Sequence, residues 1–344
     1  MRRQMVVLLA VLGVACAGEP TGPESSGPSA AVAAAGGGSW VKRAQYPVNV
    51  LDATSASIAS GASWTTMYVI GGVPKCCGAG LISDAVKAYD ATSNRWTAKA
   101  HYPVRVRSTN GAVEIDGRIY VTGGFTRQWD AQRQIWLLNT LRSLYVYDPG
   151  SNTWARKRDM PEATVNGGSV GYRGVLYVAT NCYEGALGCP DIGEGVVWRF
   201  DPGTNQWAVF ARRQGRDWWD VSAGAIGGKL YLVEQFTGRL DILDLTTGGW
   251  TSGPERPYRS CNAATAAFQA KLYLFGFCDD YPTDPEIRRR GLVFDPAAGS
   301  WSEVAAPPGV ASADAALARV LVNGKPRLSL VQGERPDNHF QWVP

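Results

Sequence analysis

Histidine is almost missing from this chain: His101 and His339 are the only two among 344 residues. Both fall in segments that read as strands and are expected on edge-strand surfaces, so neither a histidine metal centre nor a histidine-based triad has material to be built from. Equally missing are a Gly-x-Ser-x-Gly nucleophile turn, a phosphate-cradling glycine loop and any metal-ligand spacing. The formal charge of +4 drops to +2 once Arg2 and Arg3 are set aside as part of a leader, too little to attract nucleic acid. The apolar run from Met5 to Ala15 is shorter than the roughly 20 residues a spanning helix needs. These absences leave no catalytic residue, metal site or cofactor to expect.

What is present is a repeat. The spacing Asp-x5-Trp frames the chain in five copies: Tyr89-Asp90 to Trp96, Tyr147-Asp148 to Trp154, Phe200-Asp201 to Trp207, Leu243-Asp244 to Trp250 and Phe294-Asp295 to Trp301. The residues between Asp and Trp are Gly, Pro, Asn, Ser and Thr in the main, the types that set φ or bond their own backbone in turns. Each copy therefore reads as a hairpin, with an apolar strand before the Asp and a Trp opening the return strand. A second hairpin lies upstream of it, as in Asp116-Gly117 before Ile119-Tyr-Val-Thr122 or Gly227-Gly228 before Leu230-Tyr-Leu-Val233. Met67-Tyr-Val-Ile70 and Leu328-Ser-Leu-Val331 supply a first and a sixth copy, which gives four strands per unit and six units.

This pattern resembles the kelch repeat, whose blades carry a Gly-Gly doublet after strand b, an aromatic-Asp pair ending strand c and a Trp in strand d. From Ser39 onward, 306 residues over six units is 51 per unit, against the roughly 50 of a kelch blade. The doublet stands at Gly71-Gly72 and Gly123-Gly124; Thr180-Asn181, Glu234-Gln235, Gly276-Phe277 and Gln332-Gly333 replace it elsewhere. The resemblance implies an all-β, six-bladed kelch-type β-propeller. Ring closure is legible from a second spacing: Trp-x6-Pro recurs at Trp40 to Pro47, which has no hairpin before it, while Asp314 to Trp342 has no strand d after it. The N-terminal strand is thus expected to complete the sixth blade and leave no open edge.

Residues 1–16 read as an export signal, 17–38 as a flexible tether rich in Pro, Gly, Ser and Ala, and 39–344 as the propeller. Leu12-Gly-Val-Ala-Cys16 resembles a lipobox, which implies a lipidated Cys16; Ala15-Cys-Ala17 offers ordinary A-x-A cleavage instead. With Cys16 used as an anchor, Cys76, Cys77, Cys182, Cys189, Cys261 and Cys278 remain for pairing in an oxidising compartment. The turn Gln269-Ala270 sets Phe268 opposite Lys271, and the same register sum places Cys261 opposite Cys278. Cys182 and Cys189 flank a short loop and pair locally, while Cys76 and Cys77 pair with each other or elsewhere.

All six cysteines fall in b-to-c loops and d-to-a connections, which share one rim, and a ligand is expected there. Candidate ligand residues are Arg105, Arg107, Asn166, Trp218, Trp219, Asp220 and Arg259, with Asn49 and Asn262 at equivalent places near the starts of strands a. Arginine offers a fixed fork to carboxylates and tryptophan a stacking face, although Trp218 and Trp219 are equally suited to packing between blades. The resulting expectation is a monomeric, non-enzymatic module at the periplasmic or cell surface. It would recognise a protein or glycan and meet the membrane only through a lipid anchor. The two-histidine count speaks against an enzyme resembling galactose oxidase. The alternative is a metal-free carbohydrate-active enzyme resembling the exported six-bladed kelch mutarotases that act on acidic sugars.

Overall fold

The computed structural model describes residues 33–34, 38–47, 50–60, 63–74, 82–164, 166–180, 194–216, 218, 220–258, 263–276, 290–308, 315–331 and 338–344. They build six blades of four antiparallel strands each, with Ala33–Ala34 added in parallel to the outer edge of blade 5 and two further two-stranded pairs, and no helix occurs among them. Blade 1 runs Thr54–Ser60, Ser63–Ile70, Val86–Asp90 and Arg95–Lys99, and blade 2 runs Ala112–Ile115, Arg118–Thr122, Leu144–Asp148 and Thr153–Arg156. Blades 3, 4 and 5 repeat this order from Gly168–Tyr172, Val221–Ile226 and Ala264–Phe268, their innermost strands a. Blade 6 takes Ala316–Val322, Lys325–Val331 and His339–Val343 from the C-terminus and its outer strand, Ser39–Lys42, from the N-terminus. In blade 5 the expected register holds from Phe268↔Lys271 to Ala264↔Phe275, each pair summing to 539; the six rim cysteines themselves lie outside the described residues.

The recurrent Asp makes each outer hairpin. Asp90 Oδ1 accepts the backbone N–H groups of Thr92 and Ser93 at 2.8 and 2.9 Å, and Asp148, Asp201, Asp244 and Asp295 do the same two and three residues on. Backbone donors hold the Asp148 and Asp244 carboxyls below their ordinary range, so the stability they contribute is present at neutral pH and lost as pH falls through those lowered values. Four residues past the Asp the chain must enter the left-handed region, filled by Asn94, Asn152 and Asn205 at φ near 55° and by Gly248 and Gly299.

The recurrent Trp joins blades. Its indole N–H donates to a carbonyl of the preceding blade, four residues past that blade's own Trp: Trp96 to Ala44, Trp154 to Ala100, Trp207 to Arg158 and Trp301 to Pro254, at 2.8 to 3.0 Å. Trp40 to Ala305, at 2.7 Å, closes the circle with the same offset. Asn94, Asn152 and Asn205 clamp the N–H of the same receiving residue through Oδ1. Trp250 breaks the series. Blade 3's outer strand runs on to Gln214 with a bulge at Phe210, so Ala211 stays inside the ladder opposite Val197. The Trp250 N–H consequently has no acceptor among the described residues, and the Arg213 guanidinium lies over its ring at 5.4 Å instead. Trp154→Phe is therefore expected to cost about 1 kcal/mol more than Trp250→Phe, the net worth of one hydrogen bond. Urea melts check this, and equal losses count against the indole as a seam bond.

Six hydrophobic clusters of buried residues fill the ring, and each is shared by two adjacent blades. The cluster between blades 6 and 1, with Tyr46, Tyr89, Val320 and Val331, draws on both ends of the chain and is buried like the other five.

Two expectations need correction. His101 is exposed, with a side chain 70% accessible, but His339 is only 1% exposed. Its strand is an edge only if blade 6 has no outer strand, and Ser39–Lys42 covers it. The segment from Phe125 to Arg142, which the repeat leaves as a loop between strands b and c, contains a hairpin of its own, Phe125–Asp130 with Ile135–Thr140. It is a sixth Asp-x5-Trp unit: Asp130 Oδ1 accepts Gln132 and Arg133 N–H, Gln134 takes the left-handed position, and the ladder registers position 129 with 136 as it registers Tyr89 with Trp96. The fivefold pattern hid it because it sits between strands b and c rather than c and d.

Candidate functional site

The rim that carries the b-to-c loops is drawn inward by the glycine doublets. Gly72 and Gly124 adopt φ of +91° and +97°, and their N–H groups donate across to Val106 and Thr164 in the connections that lead into the next blade. A Cβ at Gly124 would lie 2.0 Å from the Ser108 carbonyl, so only glycine permits the approach. Where Glu234-Gln235 replaces the doublet, the Gln235 N–H turns back to Asp220 O, and its side-chain Oε1 takes over the reach to the next connection at Ala263 N.

These connections converge on the axis in a cavity of about 120 Å³ to which all six blades contribute: Asp52 and Thr54, Ser108 and Thr109, Asn166 and Gly167, Asp220, Ala263 and Ala315. Its wall is polar and braced. Arg107 Nε lies 2.5 Å from Asp52 Oδ2, and the Arg107 guanidinium sits over the Phe125 ring at 5.7 Å. Ser108 Oγ donates to Asn166 Oδ1 at 3.0 Å, Asn166 O accepts Val221 N–H, and Ser108 pairs with Phe125 at the foot of the inserted hairpin. On strand a of blade 6, Arg319 is accessible, yet the surrounding protein pushes its guanidinium down to about 10, with Glu114 of blade 2 pulling the other way.

Of the candidates named from sequence, the structure brings Asn166 and Asp220 to the cavity wall and Arg107 to its edge through Asp52. Arg105 turns outward, 67% accessible and 3.7 Å from Asp84, which also bonds His101. Trp218 is corrected from ligand platform to seam residue: it is 2% exposed, donates Nε1 to Asp241 at 3.3 Å and packs against Trp250. Arg213 and Arg216 hold the same Asp241 carboxylate, which fixes the connection that ends in Asp220. Trp219, Arg259, Asn49 and Asn262 lie outside the described residues.

Sequence reasoning missed Asp52, Thr54, Ser108 and Thr109, whose only signal is their place before or at the start of strand a in each repeat. It also missed Phe236. That ring, 50% exposed, tops the short blade-4 loop, and Trp129, 47% exposed, stands near the tip of the blade-2 hairpin on the same rim. The Phe236 loop is rigidly held: the Glu234 carboxylate accepts Phe236 and Thr237 N–H, buried Arg256 bonds the Gln235 carbonyl, and Gln235 N–H reaches Asp220 O of the cavity.

Comparison with known proteins agrees with this architecture. The family description for the Kelch motif matches residues 107–161. An F-box/kelch-repeat protein of Arabidopsis thaliana is 26% identical over 227 residues, 64% of this chain and 60% of its own length. Kelch-like protein 35 of Mus musculus is 25% identical over 277 residues, covering 68% of this chain and 45% of the relative. Kelch-like protein terF of Aspergillus terreus is 23% identical over 286 residues, 79% of this chain and 60% of that one. The chain thus spans less than two thirds of the length of each of these relatives. A solved structure titled Structure of YjhT superposes with a TM-score of 0.62 at 15% identity, over 88% of this chain and 95% of the other.

Proposed function

We propose, on the premise that this six-bladed propeller carries the kelch repeat, that it is an exported, non-enzymatic module that recognises a protein partner through the rim around the axial cavity. The observation that carries this reading is Phe236, a large aromatic held half exposed on a braced loop whose backbone is bonded to a cavity residue. Binding surfaces concentrate their energy in such aromatic anchors, and rigid presentation reduces the entropy cost of binding. Cavity size separates the partner classes. Pockets for small organic ligands hold roughly 300–1,000 Å³, whereas this one offers about 120 Å³, room for a partner's side chain beneath a protein surface rather than for a sugar ring and its substituents.

A photo-crosslinker at position 236 or 129 in the full chain is expected to trap a partner, and one at Thr247 in the outer turns of the opposite face is not. Phe236→Ala is expected to weaken the purified complex at least tenfold, the loss typical of an interface anchor. Equal trapping at 247, or conversion of an acidic sugar between anomers by the purified protein, overturns the reading. Export and anchoring rest on Arg2, Arg3, the Met5 to Ala15 run and Cys16. The wild-type protein is accordingly expected in the detergent phase and Cys16→Ser in the aqueous phase. A soluble wild type beginning at Gly18 establishes A-x-A cleavage instead.

A further inference from the structure

The seam between blades 6 and 1 buries a histidine where the N-terminal strand meets the C-terminal one. His339 Nδ1 lies 2.9 Å from Ala44 O, and Nε2 lies 2.7 Å from Ser329 Oγ. A carbonyl only accepts, so Nδ1 carries the proton and Nε2 must accept from the serine hydroxyl. The ring is neutral, in one tautomer, and bridges Ser329 in strand b to Ala44 just past the closing strand.

Ala44 is also the residue that receives Trp96 Nε1 and donates to Asn94 Oδ1, so three bonds from two blades meet on it. Tyr89 faces the imidazole nearly perpendicular at 4.4 Å and Trp96 lies at 5.3 Å, with Tyr46 packed against Trp96. The charged group nearby is Arg43, whose Nε donates to the Tyr89 hydroxyl. Among the described residues no carboxylate contacts the ring.

We propose that ring closure is a proton-operated latch: when His339 takes up a proton, Ser39–Ala44 releases from blade 6 while blades 2 to 5 stay folded. An imidazolium has two donors and no acceptor, so the Ser329 oxygen must turn to accept from Nε2–H, its own buried O–H loses its acceptor, and a second positive charge is forced into an aromatic pocket beside Arg43. Release is local because Ser39–Lys42 is an outermost strand whose backbone ladder is with His339–Val343 alone, its other tie to the ring being the Trp40 side chain on Ala305 and Phe275.

Burial, with Arg43 adding to it and the Ala44 bond opposing, lowers the imidazole from 6.5 to about 4. A depressed histidine leaves the closed state short of protons relative to the open one, so closure is fully supported above pH 6.5 and is lost as pH falls from 6.5 through 4. With those two values the latch is about 60-fold weaker at pH 4.5 than at pH 7.0.

Hydrogen exchange of the full chain at pH 7.0 and 4.5, corrected for intrinsic rates, tests this. The expected result is a drop in protection at least tenfold larger for residues 39–44 than for the inner strands of blades 2 to 5. His339→Gln, whose amide can donate to Ala44 and accept from Ser329 without titrating, is expected to remove the difference, and His101→Gln is expected to keep it. Uniform loss across all blades, unchanged protection of 39–44, or the same loss in His339→Gln overturns the latch. With two histidines in the chain, the imidazole proton resonances of wild type and His101→Gln assign both titrations without relying on the His339 variant. A His339 midpoint near 6.5 likewise overturns the proposal.

Discussion

Deleting residues 1–47 is expected to lower the melting temperature by about 10 °C or more relative to a deletion ending at Gly37, and to promote aggregation. The second deletion leaves the seam whole. The first removes Trp40, which packs edge-on against Phe275 at 5.2 Å and against Trp342 at 5.5 Å and donates to Ala305. It also removes Tyr46, 3% exposed and bonded through its backbone to Asn338, and strips Ala44 from Asn94, Trp96 and His339. Loss of one buried aromatic alone costs on the order of 3–5 kcal/mol. For a domain of this size each kcal/mol moves the midpoint by roughly 2 °C. In addition, His339–Val343 becomes an unpaired sheet edge, a template for association with other chains. Differential scanning calorimetry with light scattering reads both effects. Equal midpoints for the two deletions would show that closure does not depend on the N-terminal strand.

Gly124→Ala should destabilise by roughly 3 kcal/mol or more, while Gly117→Ala should cost only about 1 kcal/mol. Both positions have positive φ, +97° and +77°, so both variants carry backbone strain. They differ in space. At Gly117 a Cβ meets nothing within 4 Å, whereas at Gly124 it meets the Ser108 carbonyl at 2.0 Å and the Thr109 Cα at 2.9 Å. Those are backbone atoms that cannot swing aside as a side-chain tip could. Relief requires the blade-2 connection to retreat from the axis, taking with it Ser108 and Thr109 of the cavity wall and the Ser108–Asn166 bond. Denaturant melts should separate the two variants, and Gly124→Ala should also weaken partner binding at the rim. Similar stabilities for both would mean that the doublet serves only the turn and not the inward press of the blades.

The repeat was legible because its signals are local. Asp caps a turn two and three residues away, Asn or glycine supplies the left-handed residue before Trp, and period-2 apolar strands lie on either side; all of this acts within one hairpin. Ring closure was legible too, since the orphan Trp40 and the absent last strand are complementary defects in one count. The site was legible only in part. Asn166, Asp220 and Arg107 were found by their place before strands a, but Asp52 and Thr109 look like ordinary loop residues until six connections converge. Trp218 shows the opposite failure: its neighbours in sequence suggest a binding platform, and its partner Asp241, in a different hairpin, decides that it is buried. His339 reads as an edge residue from its own segment alone.

The sequence by itself thus determined the blade, the number of blades and how the ring closes, because each depends on interactions spanning a few residues or on simple counting. Which side chains meet at the axis, which tryptophan is covered and which histidine is dry were decided by tertiary structure, because burial at a seam depends on residues up to 295 positions apart.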